Sequence, residues 1–328
     1  ALGAVALLRD DGATSEVRTV PAGPTPSAEV PRTTLAPHPS TTTALPPSPE
    51  DMVVVTSKGA VLVVDATTGE PRDTLAPPGS ADGTHKPSRA PGGTIYFSKQ
   101  GVDCGYPTLF EVPLDGSREP RRLGNGGAPA VSPDGTRLAY FTPSNGCIGA
   151  TLVVRNLATG KEQRWEAPES DGYFSNGAIT AIAWAPDGRR LAFQFDWEGS
   201  GVYLLDTGVP GRLDTARPVE PKRQPDNTSL ALRGWHPIDG RLAVAALCCL
   251  SPDGMTSTEV HDRTRTFLVD PATGESTDLH RAGEAAFSMD YDGSGQWMLW
   301  ISEDGFLRVR DPRGGERSVR QGYASATW

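Results

Sequence analysis

From Asp51 onward, short apolar runs alternate with polar turns, and the turns repeat. Ala130-Val131-Ser132-Pro133-Asp134-Gly135 precedes the apolar run Arg137-Leu138-Ala139-Tyr140-Phe141. Ala183-Trp184-Ala185-Pro186-Asp187-Gly188 stands in the same way before Arg190-Leu191-Ala192-Phe193, and Gly234-Trp235-His236-Pro237-Ile238-Asp239-Gly240 before Arg241-Leu242-Ala243-Val244. Looser copies are Met289-Asp290-Tyr291-Asp292-Gly293 and Ala90-Pro91-Gly92-Gly93. Pro presets φ, Asp bonds the backbone just ahead of it and Gly accepts positive φ, so each copy predicts a hairpin turn between two strands.

A second series interleaves with the first. Six times an apolar pair runs into a polar turn closed by glycine: at Val63-Val64-Asp65 with Gly69, Val112 to Gly116, Val154 to Gly160, Leu205 to Gly208, Val269-Asp270 with Gly274, and Val309 to Gly315. These glycines are 41 to 48 residues apart except for one gap of 66, which contains insertions. Two hairpins per repeat at this period predict an all-β, six-bladed β-propeller of four-stranded antiparallel blades. The first repeat begins at Met52-Val53-Val54-Val55 with no inner strand ahead of it, while Tyr323-Ala324-Ser325-Ala326-Thr327-Trp328 matches the inner strand Ile179 to Trp184. The C-terminal strand is therefore expected to complete the first blade and remove exposed edges at the seam.

The segment Ala128 to Tyr140 resembles the repeat of TolB-type (PD40, WD40-like) propellers, as does Leu109-Phe110-Glu111-Val112-Pro113-Leu114-Asp115-Gly116 and the residues after it to Leu123. The resemblance runs over residues 51–328 and implies a propeller. The α/β domain that precedes the TolB propeller has no expected counterpart in this chain, so the periplasmic translocation role and lipoprotein partner of that family are not implied.

Ahead of the repeats, residues 1–9 read as the remnant of a signal anchor or signal peptide, since Ala1 to Leu8 are apolar but too few to cross a bilayer alone. Residues 10–50 form a Pro/Thr-rich linker whose lack of large apolar side chains cannot offset the entropy of ordering. Together they place residues 51–328 outside the cytoplasm on a membrane tether. Basic charge is mostly Arg, as in a GC-rich bacterium. The net charge of −9 excludes the basic footprint of a nucleic-acid binder.

No Gly-x-Ser-x-Gly elbow, phosphate-binding glycine loop or His-Glu-x-x-His helix occurs, and the five histidines are scattered. Asp290-Tyr291-Asp292-Gly293-Ser294-Gly295 has the look of a calcium loop without its later bidentate Glu, and is read as a hairpin turn. The inner strands offer mainly Ala, Ser, Thr and Gly to the central channel, with Arg89 and Arg233 the charged exceptions, so a carboxylate-held metal of the lactonase kind is not expected. No catalytic role, metal or cofactor is expected. Cys104 and Cys147, in equivalent loops of consecutive blades, are expected to form a disulfide; the state of the adjacent Cys248 and Cys249 is left open.

The long connections at 100–108, 142–150, 166–178, 196–200, 207–229 and 249–265 are expected on one face. They carry Tyr106, Asn145, Tyr173, Phe174, Asn176, Trp197 and His261, the candidate ligand-binding residues. The function that follows is a monomeric, non-catalytic binding or sensor propeller that engages an extracytoplasmic protein, peptide or envelope ligand. A secreted lyase or hydrolase, and a scaffold of an envelope complex, are the alternatives.

Overall fold

A computed structural model describes residues 51–328 apart from 102–105, 146–147, 168–176, 197–199, 210, 223–227, 249–264, 280–285 and 303. Blade 1 contains β1 (Asp51–Thr56), β2 (Val61–Asp65) and β3 (Pro71–Ala76); blade 2 contains β4 (Ser88–Arg89), β5 (Thr94–Lys99), β6 (Thr108–Pro113) and β7 (Arg121–Asn125). Blade 3 is β8 (Gly127–Val131), β9 (Arg137–Asn145), β10 (Ile148–Asn156) and β11 (Glu162–Glu166). Blade 4 is β12 (Ala178–Trp184), β13 (Arg190–Asp196), β14 (Ser200–Asp206) and β15 (Arg217–Pro218). Blade 5 is β16 (Thr228–Trp235), β17 (Leu242–Cys248), β18 (Arg265–Val269) and β19 (Ser276–Asp278). Blade 6 is β20 (Ala286–Tyr291), β21 (Met298–Ser302), β22 (Phe306–Arg310) and β23 (Glu316–Gln321). The last strand, β24 (Tyr323–Thr327), returns to blade 1 as its inner strand, pairing antiparallel with β1 through Val53↔Thr327, Val54↔Ala326 and Val55↔Ser325.

The strand period of two explains how such thin sheets are held. Successive side chains point to opposite faces, and in a propeller both faces of a blade are covered by neighbours. In β1, Met52 and Val54 join the apolar cluster shared with blade 6, while Val53 and Val55 join the cluster shared with blade 2. In β9, Ala139 and Phe141 face blade 4 and Leu138 and Tyr140 face blade 2. Six apolar clusters result among the described residues, one at each of the six blade interfaces. The ring therefore has no interface without a core.

The two turn series occupy one face. In the blade 3 copy, Gly135 sits at φ 69°, and Asp134 accepts the Thr136 N–H at 3.1 Å and the Ser132 hydroxyl at 2.5 Å. In the outer series Asp65 accepts the N–H groups of Thr67 and Thr68, both at 2.8 Å, and Asp270 does the same for Ala272 at 2.8 Å and Thr273 at 3.2 Å. Those bonds, with Arg72 beside it, hold the Asp65 carboxyl at a pKa of about 2. The resemblance of 290–295 to a calcium loop resolves into such a turn. Asp292 accepts the Gln296 and Trp297 N–H groups, both at 3.0 Å, and Asp290 turns to the seam strand.

Tryptophans on the inner strands tie consecutive blades together near this face. Trp184 donates its Nε1–H to the Ala130 carbonyl of blade 3 at 2.9 Å, and Trp235 to the Ala183 carbonyl of blade 4 at 3.1 Å. The Arg137 and Arg190 guanidinium groups lie over these rings, at 4.6 and 5.6 Å from the centroids. Each arginine belongs to the blade before the tryptophan it covers, so the repeated Arg-Leu-Ala motif also serves as an inter-blade contact.

Candidate site at the channel mouth

The connections between second and third strands, and between each fourth strand and the next blade, lie on the face opposite the turns. Two expected members differ. Residues 142–145 and 148–150 belong to the nine-residue strands β9 and β10, because their antiparallel pairing continues to Asn145↔Ile148. Within 207–229, residues 207–216 join the third strand of blade 4 to its fourth, β15, so they lie on the turn face. There a single 3-10 turn at Leu213–Thr215 buries Leu213 in the cluster between blades 3 and 4.

Tyr106 lies in the connection from β5 to β6 and is exposed. Asn145 is the last residue of β9, at the long-loop end of its blade. Tyr173, Phe174, Asn176, Trp197 and His261 lie outside the described residues, as do Cys104 and Cys147 of the expected disulfide.

What the structure adds is the channel itself. Two cavities lie along it, about 540 Å³ on the long-loop side and about 650 Å³ on the turn side. Lys86, Pro129, Ile182 and Ala183 border both and mark the waist. Five of the six inner strands carry a β-bulge. Pairing skips Ala128 and Pro129 in β8, Thr180 in β12, Arg233 in β16, Phe287 in β20 and Ala324 in β24. A bulge leaves one residue out of the ladder and re-aims its side chain. All of these bulge residues line the long-loop-side cavity.

The bulges share a register. Thr180, Phe287 and Ala324 each precede by four residues the aromatic group that ends their strand's run, Trp184, Tyr291 and Trp328. Arg233 precedes Trp235 by two and so sits deeper toward the waist. Phe287 is 57% exposed although it belongs to an inner strand, which makes it an apolar side chain presented to whatever fills the mouth.

Among the described residues, three charged side chains line this cavity: Lys86, Asp196 and Arg233. The expectation of a channel lined by small residues without carboxylates is thus corrected. Asp196 reaches the cavity from the end of the second strand of its blade rather than from an inner strand, and Asp290 borders the turn-side cavity. Asp196 accepts the Gln194 amide at 2.9 Å, and the Gln194 oxygen in turn accepts the Leu232 N–H at 3.0 Å. Lys86 donates to Asp290 at 2.9 Å. Among the described residues no three His, Cys, Asp or Glu side chains converge as a metal-binding group. Arg233 and Phe287 stand in inner strands read from the sequence, yet the bulge that selects them leaves no mark in an apolar–polar alternation.

No protein-family profile and no curated protein sequence matches the chain. Solved structures do. TolB from Acinetobacter baumannii superimposes with a TM-score of 0.58 at 18% identity over 85% of this chain and 65% of that one. A protein from Agrobacterium tumefaciens assigned as TolB gives 0.52 at 14% identity over 74% and 84%. A structural-genomics protein of unknown function from Bacteroides thetaiotaomicron gives 0.50 at 13% identity over 82% and 63%. The chain spans less than two thirds of the Acinetobacter TolB, and identities this low speak to architecture. The blade count, the strand order and the closure by the last strand, set beside these superpositions, establish a six-bladed β-propeller with the fold of the TolB propellers.

Proposed function

We propose that the protein is a non-catalytic, extracytoplasmic binding propeller, tethered through its N-terminal segment, that captures a protein or peptide on its long-loop face. The observation that carries this reading is the set of bulge residues lining the long-loop-side cavity, Thr180, Phe287 and Ala324 at the mouth, Pro129 at the waist, and Arg233, whose side chain reaches Ala286. Apart from the 207–216 connection of blade 4, the turn face is built of short turns fixed by backbone chemistry. At the mouth the register shared by three blades carries Thr180, Phe287 and Ala324, three different side chains, which is what recognition on a repeated scaffold requires. The exposed Phe287 supplies a rigid apolar contact at little entropic cost, and Tyr106 is a second exposed aromatic side chain; Tyr173 and Trp197 remain candidates from the sequence. The propeller fold shared with TolB structures is consistent with a binding role without assigning a partner.

The test is retention of a defined band from envelope extract on immobilised protein. Wild type is compared with Phe287→Ala and with the double variant Tyr173→Ala, Trp197→Ala. Loss of the band with an unchanged Tm supports the site. Equal retention by all three proteins places recognition elsewhere.

A further inference from the structure

Arg233 is held by carbonyls alone. Its Nε–H donates to the Ala286 carbonyl of blade 6 and one terminal N–H to its own neighbour, the Leu232 carbonyl, at 3.3 Å. Among the described residues no carboxylate comes within ion-pair distance of it, whereas the other cation of the cavity, Lys86, is met by Asp290 at 2.9 Å. A guanidinium carries five N–H donors in a planar fork suited to a carboxylate, so donors are left over after those two bonds. Burial pulls its pKa down to about 10, which still leaves it charged at neutral pH. Arg233 is only partly buried and lines the cavity, so its spare N–H donors and unpaired charge are open to a carboxylate brought in by a ligand.

The position narrows the ligand further. The bond to Ala286 draws the guanidinium toward β20, away from the strand that carries Asp196. The residue after Ala286 is Phe287, exposed at the mouth, while Arg233 lies two register positions deeper. Its side chain nevertheless reaches back to the Ala286 carbonyl at the mouth end of β20, so a group entering from the long-loop face meets the Phe287 ring and the guanidinium side by side.

Resting on the reading of this mouth as a peptide-binding site, we infer that Arg233 anchors a carboxylate of the bound peptide while Phe287 packs the apolar portion that precedes it. Two sources share that chemistry, a free C-terminus and an acidic side chain. The arms of the test separate them.

The full chain, labelled with 15N at arginine Nε, is titrated with N-acetyl-leucine and N-acetyl-leucinamide, and with N-acetyl-glutamate α-amide and N-acetyl-glutamine α-amide. Each pair differs in charge at nearly constant shape. In at least one pair the acid is expected to bind about tenfold more tightly than its amide and to shift one Nε–H signal. The first pair showing this names a C-terminus, the second a side chain. Arg233→Gln is expected to erase the preference and the shifting signal. Arg233→Lys keeps the charge without the fork and is expected to retain part of the preference, which separates recognition from misfolding. Equal binding of acid and amide in both pairs, binding of none of the four, or an undiminished preference in Arg233→Gln overturns the assignment. Any of these results combined with loss of partner retention in Phe287→Ala leaves the binding face standing and removes only the carboxylate.

Discussion

Thr327 donates its hydroxyl to Oδ2 of Asp290 at 2.6 Å, across the seam between the first and last blades. The same oxygen accepts the Trp328 N–H at 3.1 Å, and Oδ1 accepts Lys86 at 2.9 Å from the chain just ahead of blade 2. One partly buried carboxylate thus ties blade 6, the closing strand and the entrance to blade 2. Asp290→Ala should lower stability by about 2 kcal/mol, since three donors lose a charged acceptor. Asp290→Asn, which keeps an acceptor for Thr327, should cost less. Urea unfolding of the two variants measures the difference, and equal midpoints for Asp290→Ala and wild type would remove the clamp.

Deleting Gly322 to Trp328 should be far more damaging. It strips β1 of its inner partner and takes Tyr323 and Ala326 out of the cluster between blades 6 and 1. The expected fall in Tm is roughly 10 °C or more, because several kcal/mol of burial and pairing go together. A truncated protein that melts with wild type would show that the ring does not depend on its last strand.

Much of this architecture is legible in the sequence because propeller blades repeat. The Pro133-Asp134-Gly135 and Asp65 to Gly69 turns are local chemistry, so the sequence shows them directly, and the likeness of residues 323–328 to 179–184 is enough to reveal the closure. The channel mouth is less legible. Arg233 is read as channel-facing from the sequence, but Phe287 is exposed to the channel because pairing slips by one residue there, a tertiary event that alternation cannot encode. Asp290 misleads for another reason. Its neighbours spell a cation loop, whereas its partners Thr327, Trp328 and Lys86 are brought to it only when the ring closes.

The tryptophan contacts between blades should be measurable one bond at a time. Trp184→Phe keeps an aromatic ring in the cluster of blades 3 and 4 but deletes the N–H that the Ala130 carbonyl accepts, and weakens the Arg137 stack. The expected loss is about 1–2 kcal/mol in denaturant unfolding. Trp184→Ala, which also opens a cavity, should cost about 3–5 kcal/mol. If the two variants unfold alike, the indole N–H and its stack contribute more than packing, and the expected order of the two losses fails.

Cys104 and Cys147 are expected to be bridged in protein matured outside the cytoplasm, since their loops occupy equivalent places in blades 2 and 3. Peptide mapping without reductant should recover one cross-linked pair that reductant separates. Free Cys104 in oxidised protein would rule the bridge out.

His85 gives the fold a pH dependence near neutrality. Its ring is buried beneath the channel mouth, with Nδ1 2.9 Å from the Ser98 hydroxyl and the Phe141 ring edge-on at 5.7 Å. Asp82 is the nearest acid, its Oδ2 3.7 Å from Nδ1, and favours the protonated ring, but burial outweighs it and moves the His85 pKa below its ordinary 6.5. The unfolded chain therefore takes up a proton near pH 6.5 that the folded chain still refuses. Unfolding gains protons in that window, so stability is full above the unfolded pKa and declines as pH falls from about 6.5 toward the folded value. Wild type should show a falling Tm between about pH 7.5 and 5.5, above the range in which the turn aspartates titrate. His85→Gln cannot take up that proton, and its Tm is expected to be lower overall but flatter across the same interval. The slope, rather than the Tm itself, is the readout, because the variant also disturbs the Ser98 contact. A slope unchanged by the substitution would assign the acid sensitivity to another group.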